Sequence, residues 1–93
     1  MTIHPHWYYY PVVLKLTAQH GPMHRSIIRE LSAQETSLPA ADYEVENERG
    51  TNIFYSRINW AVTDMVGIGA LVRASRGVAE ITPFGKELLR RFP

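Results

Sequence analysis

Ile53-Phe54-Tyr55-Ser56-Arg57-Ile58-Asn59-Trp60-Ala61-Val62-Thr63-Asp64-Met65 has one regular apolar stripe. Phe54, Ile58, Ala61, Val62 and Met65 recur at i, i+4, i+7, i+8 and i+11, the spacing of a helix with one buried face. Thr51 or Asn52 supplies an N-cap, and Gly67 a stop. At about 100° per residue, Phe54, Ala61, Val62 and Met65 fall within about 60° of Ile58. Asn52, Ser56, Asn59, Trp60 and Thr63 fall on the far side, with Ile53, Arg57 and Asp64 at the flanks. A tryptophan opposite the core stripe needs an explanation of its own.

Downstream, Leu71-Val72-Arg73-Ala74 and Val78-Ala79-Glu80-Ile81 are short strand-like runs. Ser75-Arg76-Gly77 between them predicts a hairpin with a charged tip. Thr82 then caps a last helix with Pro83 at its first position, carrying Phe84, Leu88, Leu89 and Phe92. Upstream, Tyr8 to Gln19 places Tyr9, Val12, Val13 and Leu16 at helical spacing and stops at His20-Gly21. A second helix is expected from His24 to Gln34 with Ile27, Ile28 and Leu31 inward, and Met23 leading in as extended chain. Ser37-Leu38-Pro39 can cap a short helix through Tyr43, after which the acidic run to Glu48 reads as solvated.

Helix, helix, helix, hairpin, helix is the winged helix-turn-helix plan, an α+β and mostly α fold. It has three helices, a two-stranded β-hairpin wing and a C-terminal helix. That plan presents its third helix to a DNA major groove and its wing to the backbone or minor groove.

Composition agrees with one small domain spanning 1–93, with 1–6 expected to fray. Apolar residues make up 45% and charged residues 20%, the balance of a globular chain rather than a disordered one. With no cysteine, disulfide scaffolds and thiolate zinc fingers are excluded. The longest apolar run, Trp7 to Leu14, is too short and too rich in tyrosine and proline to span a bilayer. No basic leader or cleavage site marks a signal peptide, so the expected compartment is the cytoplasm. Net charge is only +1, but it is unevenly placed. Residues 1–48 hold three Lys/Arg against six Asp/Glu, and residues 49–93 hold seven against three. Such asymmetry hints at an anionic partner for one face.

The stretch Ile53 to Val62 resembles the recognition helix of the N-terminal domain of Mrr-type restriction endonucleases. The shared features are an aromatic residue, then Arg57, an aliphatic, Trp60 and Ala61. Gly69-Ala70-Leu71 before the wing, Arg76-Gly77-Val78 at its tip and Ile81-Thr82-Pro83-Phe84-Gly85 after it are similar to the same family. So is the opening Pro11-Val12-Val13-Leu14-Lys15-Leu16 followed by Gly21. The resemblance runs from about Tyr8 to Leu89. It implies double-stranded DNA as partner, and restriction of DNA carrying methylated adenine or cytosine. Mrr proteins also carry a nuclease domain with a Glu-x-Lys pair that holds magnesium. This chain has no Glu-x-Lys triplet, so it is expected to be non-enzymatic: an isolated reader, or the front part of a longer enzyme. The family more often has a small residue where Asn59 stands.

The nucleic-acid-binding candidates are Thr51, Asn52, Tyr55, Ser56, Arg57, Asn59, Trp60, Arg73, Ser75 and Arg76. A base methyl in the major groove cannot hydrogen-bond, so an apolar contact such as Trp60 can favour it only by burial, by about 0.8 kcal/mol. Trp60 packing on the wing or on the N-terminal aromatics is the competing role. Asn59 can pair with an adenine edge, and Ser56 and Asn52 can read edges or anchor phosphate. The helix start at Thr51 favours phosphate. Arg57 can meet guanine or phosphate, or pair with Asp64 or a carboxylate of 42–48. Tyr55 can donate to phosphate or pack at the core edge. Arg73 and Arg76 on the wing suit phosphate or minor groove, with Ser75 and Arg49 as further phosphate candidates. Trp7-Tyr8-Tyr9-Tyr10 favours core packing or a dimer surface over a stacking platform for single strands. His4 and His6 lack a further metal ligand nearby and read as frayed and solvated. No cofactor, metal site or catalytic set is expected. The combined expectation is modification-dependent duplex binding, centred on methyladenine, by one copy or by a homodimer on a palindrome. A winged-helix regulator of unmodified DNA and a protein–protein docking module are the alternatives.

Overall fold

The computed structural model describes residues 3–92. A 3₁₀ turn over His6–Tyr9 leads directly into α1, Tyr10–His20. Pro11 sits in the first turn of α1, where its missing N–H removes no helical bond. Then come β1 (Met23–His24), α2 (Arg25–Glu35), α3 (Ala40–Tyr43) and α4 (Ile53–Gly67). The wing strands β2 (Leu71–Ser75) and β3 (Val78–Ile81) follow, and α5 (Pro83–Arg91) closes the order. The fold is α+β, mostly helical and winged-helix-like, with the wing built on a small antiparallel sheet.

Two counts differ from the sequence expectation. The sheet has three strands in the order β1-β3-β2, not two, because Met23 pairs with Ala79 and His24 with Val78. A two-residue strand has no period of its own and exists only because β3 offers it an edge. The short helix through Tyr43 is present as α3, so the expected third helix is the fourth, α4. The hairpin tip narrows to Arg76-Gly77, with a bulge between Arg73 and Ser75. Gly77 has φ +73, and a Cβ there would lie 2.9 Å from His24 Nε2.

The core is one cluster. Tyr9, Val13 and Leu16 from the N-terminal segment meet Ile28 of α2, Phe54, Ile58, Ala61 and Met65 of α4, and Leu71 of β2. The stripe expected for the recognition helix is buried in full. Ile27, expected inward, is instead 45% exposed, while Ser32 is completely buried. Helix α2 is therefore rotated so that its Ile28–Ser32 edge faces inward.

The 36–52 connection is built rather than loose. Asn47 Oδ1 accepts from the amides of Arg49 (2.9 Å) and Thr51 (3.1 Å). The Ile53 amide donates to the Val45 carbonyl at 3.0 Å. The acidic run thus forms a turn that delivers the chain to the start of α4, while Glu44, Glu46 and Glu48 stay exposed. Residues 1–2 lie outside the described residues. The His4 ring stacks on Tyr8 at 3.8 Å, and its amide donates to Tyr9 Oη at 3.1 Å.

Candidate nucleic-acid interface

Asn52 is the N-cap of α4. Its Oδ1 accepts from the Tyr55 amide at 2.8 Å, and its Nδ2 donates to the Tyr43 carbonyl at 2.7 Å. One side chain thus satisfies an orphan helix donor and ties α3 to α4. Both ends of this amide are engaged inside the protein, and the bonds fix where α4 begins.

Beyond the cap, the outer face of α4 lines a shallow groove of ≈ 460 Å³ formed by Thr51, Asn52, Tyr55, Ser56, Asn59, Trp60 and Thr63. Six of these seven are sequence candidates, and the seventh, Thr63, lies on the same face of the wheel. Trp60 is 57% exposed. The wheel prediction that it stands off the core holds in the structure. Tyr55 is half-buried, and the Arg29 guanidinium lies 4.9 Å from its ring centre and 4.4 Å from that of Tyr43. Arg29 thereby joins α2, α3 and α4 through two aromatic faces.

Asn59 and Thr63 also line a second cleft of ≈ 270 Å³ between α4, the start of α2 and the wing. Arg25 and Arg73 stand at its walls. Arg25 was not among the sequence candidates. It lies at the start of α2, far from α4 in sequence, and only the β1–β3 pairing brings it to the wing. Ser75 and Arg76 are exposed farther out on the hairpin.

The opposite flank of α4 carries the N-terminal segment. Arg57 Nη1 donates to the His4 carbonyl at 3.0 Å. Among the described residues no ion pair joins Arg57 to Asp64, the nearer of the carboxylates considered from sequence. Asp64 is engaged elsewhere: Tyr10 Oη donates to it at 2.5 Å, and His6 Nε2 lies 3.3 Å from it. The hydrogen bond to Asp64, with desolvation and the carboxylate charge behind it, raises the Tyr10 phenol pKa above its usual value. Burial likewise raises that of Tyr9, against the lowering effect of the His4 amide. In the aromatic run, Tyr9 is fully buried edge-on to Phe54, whereas Trp7 is 60% exposed. Core packing therefore accounts for part of that cluster only.

Helix α4 is thus bracketed, by the wing on one flank and by residues 4–10 on the other. Its outer ridge, with Ser56, Asn59 and Trp60, stands between them. Among the described residues there is no group of three or more His, Asp or Glu able to hold a metal ion, and no helix long and apolar enough to cross a membrane.

Neither the curated proteins nor the solved structures contain a match to this chain. The model of the Mrr N-terminal domain matches residues 8–91, nearly the full length, and includes α4, the wing and α5. The chain belongs to the Mrr N-terminal domain family, which associates it with the Mrr restriction system.

Proposed function

We propose that this domain binds duplex DNA through α4 and the wing and reads base methylation, with N6-methyladenine as the favoured mark. In this reading it acts as the specificity element of a restriction system and performs no chemistry itself.

One observation carries the proposal: an exposed indole, Trp60, beside an amide, Asn59, on the outer face of the helix that a winged-helix domain presents to the major groove. A methyl group on a base edge offers only apolar surface. Burying it against an indole gives on the order of 0.8 kcal/mol per methyl, several-fold in affinity, and about twice that free energy when both strands of a site are modified. Asn59 reads the remaining polar edge of the adenine. Ser56 and Thr51 contact bases or backbone nearby. Arg73, Ser75 and Arg76 meet phosphates from the wing side, and Arg57 does so from the flank with the N–H groups that His4 leaves free.

The test is fluorescence anisotropy at fixed moderate salt. The duplexes carry adenine methylation on both strands, one strand or neither, with a cytosine-methylated set alongside. Affinity that rises stepwise with adenine methylation is expected. Equal weak binding to every duplex would remove methyl reading and leave an ordinary regulator. No binding at low salt would remove DNA altogether and favour a docking module.

A further inference from the structure

The geometry points to a seat for one backbone phosphodiester in the cleft between α2, α4 and the wing, held by Arg25 and Arg73 with Asn59 and Thr63 at its rim. This rests on the reading of the domain as a duplex binder and adds a residue, Arg25, and a place that reading does not contain.

The cleft has the chemistry of an anion seat. Arginines from two separate elements line it, and no acidic residue does. Among the described residues neither Arg25 nor Arg73 has a carboxylate partner. Two like charges on one small cleft repel each other unless an anion lies between them. The inner surface is apolar, formed by Ile28, Val62 and Ala79, so it cannot itself neutralise them. At ≈ 270 Å³ the cleft falls just below the range of about 300–1,000 Å³ that encloses drug-sized molecules, which suits a small charged group with its water.

The frame that sets the spacing of the two arginines is hydrogen-bonded backbone. The Arg25 amide donates to the Gly77 carbonyl at 2.8 Å, and His24 pairs with Val78. Arg73 pairs with Ala79, so it rises from the sheet face that lines the cleft. Backbone hydrogen bonds therefore tie the start of α2 directly to the wing. The cleft also shares Asn59 and Thr63 with the groove along α4. A strand whose bases meet that groove would lay its backbone across the cleft. This continuity favours a phosphodiester over free phosphate as the occupant.

The experiment uses the intact chain with R25Q and R73Q. Both side chains are exposed, so both variants should melt with the wild type. A single neutral methylphosphonate is walked along each strand of a bound duplex. For the wild type, one position is expected to weaken binding about tenfold, the loss of a charge-assisted contact. Each variant should lose affinity by a similar factor and become insensitive to that one substitution, while keeping its sensitivity elsewhere and its preference for methylated duplexes. The double variant should be little worse than either single one. Variants that remain sensitive at every position, or that lose affinity independently of each other, would overturn the seat while leaving duplex binding intact. Should the wild type bind no duplex, the functional reading fails, and inorganic phosphate titrated into labelled protein decides the seat by itself. Chemical shift changes at Arg25, Thr63 and Arg73 that vanish in both variants would uphold an anion seat; their absence would overturn it.

Discussion

Arg57 and His4 are joined by a hydrogen bond of 3.0 Å across 53 positions of sequence, from the flank of α4 to the carbonyl of the N-terminal segment. The bond gives a side chain that reads from sequence as a DNA contact a structural duty as well. An exposed hydrogen bond of this type contributes about 1 kcal/mol. Arg57→Ala is therefore expected to lower Tm by about 4–8 °C. The preference for methylated duplexes should persist, because Arg57 stands on the flank and not beside Asn59. A thermal melt paired with anisotropy checks this; an unchanged Tm with lost affinity would assign Arg57 to the duplex alone.

Trp60→Ala should behave in the opposite way. The side chain is 57% exposed and leaves the core stripe untouched, so stability should change by no more than about 0.5 kcal/mol. Discrimination between methylated and unmethylated duplexes should vanish while residual, salt-dependent binding remains. A large fall in Tm would instead mean that the indole packs more than its exposure indicates.

These two positions show what a linear sequence makes legible. The α4 stripe, a cap at its start and the Gly77 turn are local patterns, with periods or backbone requirements contained in a dozen residues; the stripe and turn are present as expected, and of the two cap candidates, Thr51 and Asn52, the structure uses Asn52. Trp60 faced outward for the same reason, since a wheel needs only the helix. What was not legible depends on distant partners. Strand β1 is two residues that pair only because β3 arrives more than fifty positions later. The inward edge of α2 is set by its neighbours, so Ile27 faced solvent while Ser32 was buried. Arg25 has no local sign of belonging to a site; the β1–β3 pairing alone carries it to Arg73. The carbonyl that Arg57 meets is backbone, which no side-chain pattern can announce.

Asn52→Ala removes the acceptor for the Tyr55 amide and the donor to the Tyr43 carbonyl together. Loss of an N-cap costs about 1–2 kcal/mol. Denaturant unfolding should show that loss at an unchanged m-value. Asn52→Asp keeps the cap acceptor but not the donor to Tyr43, and should recover part of the loss.

Gly85→Ala tests how closely α5 lies against the sheet. A Cβ at this position would stand 2.2 Å from the Ala70 carbonyl oxygen and 2.7 Å from Ile81 Cγ1. Backbone cannot yield as a flexible side chain does, so α5 must shift. Overpacking of this kind costs typically about 1–3 kcal/mol. The α4 ridge lies apart from this contact, so at a temperature where the variant is folded its duplex affinity should match the wild type. Equal stability in a urea titration would show that α5 sits farther from β2 than described.

The tyrosines give a prediction at alkaline pH. Tyr9 and Tyr10 both have phenol pKa values raised above the ordinary 10.0, so their neutral forms are favoured in the folded state. The sign follows from proton linkage. Between the unfolded and the raised folded pKa the native state holds more protons than the unfolded chain, and stability falls as pH rises. Their contribution is complete below about pH 10 and is lost above it. Tyrosinate absorbance should therefore show part of the signal titrating late. Asp64→Asn removes the charge that holds the Tyr10 proton, and should move that late fraction down while leaving the Tyr9 fraction in place. Tyr10→Phe should abolish the fraction that Asp64→Asn moves. A titration curve identical in Asp64→Asn and wild type would mean that Tyr10 and Asp64 do not share a proton in solution, and that the N-terminal flank of α4 is held by Arg57 and His4 without them.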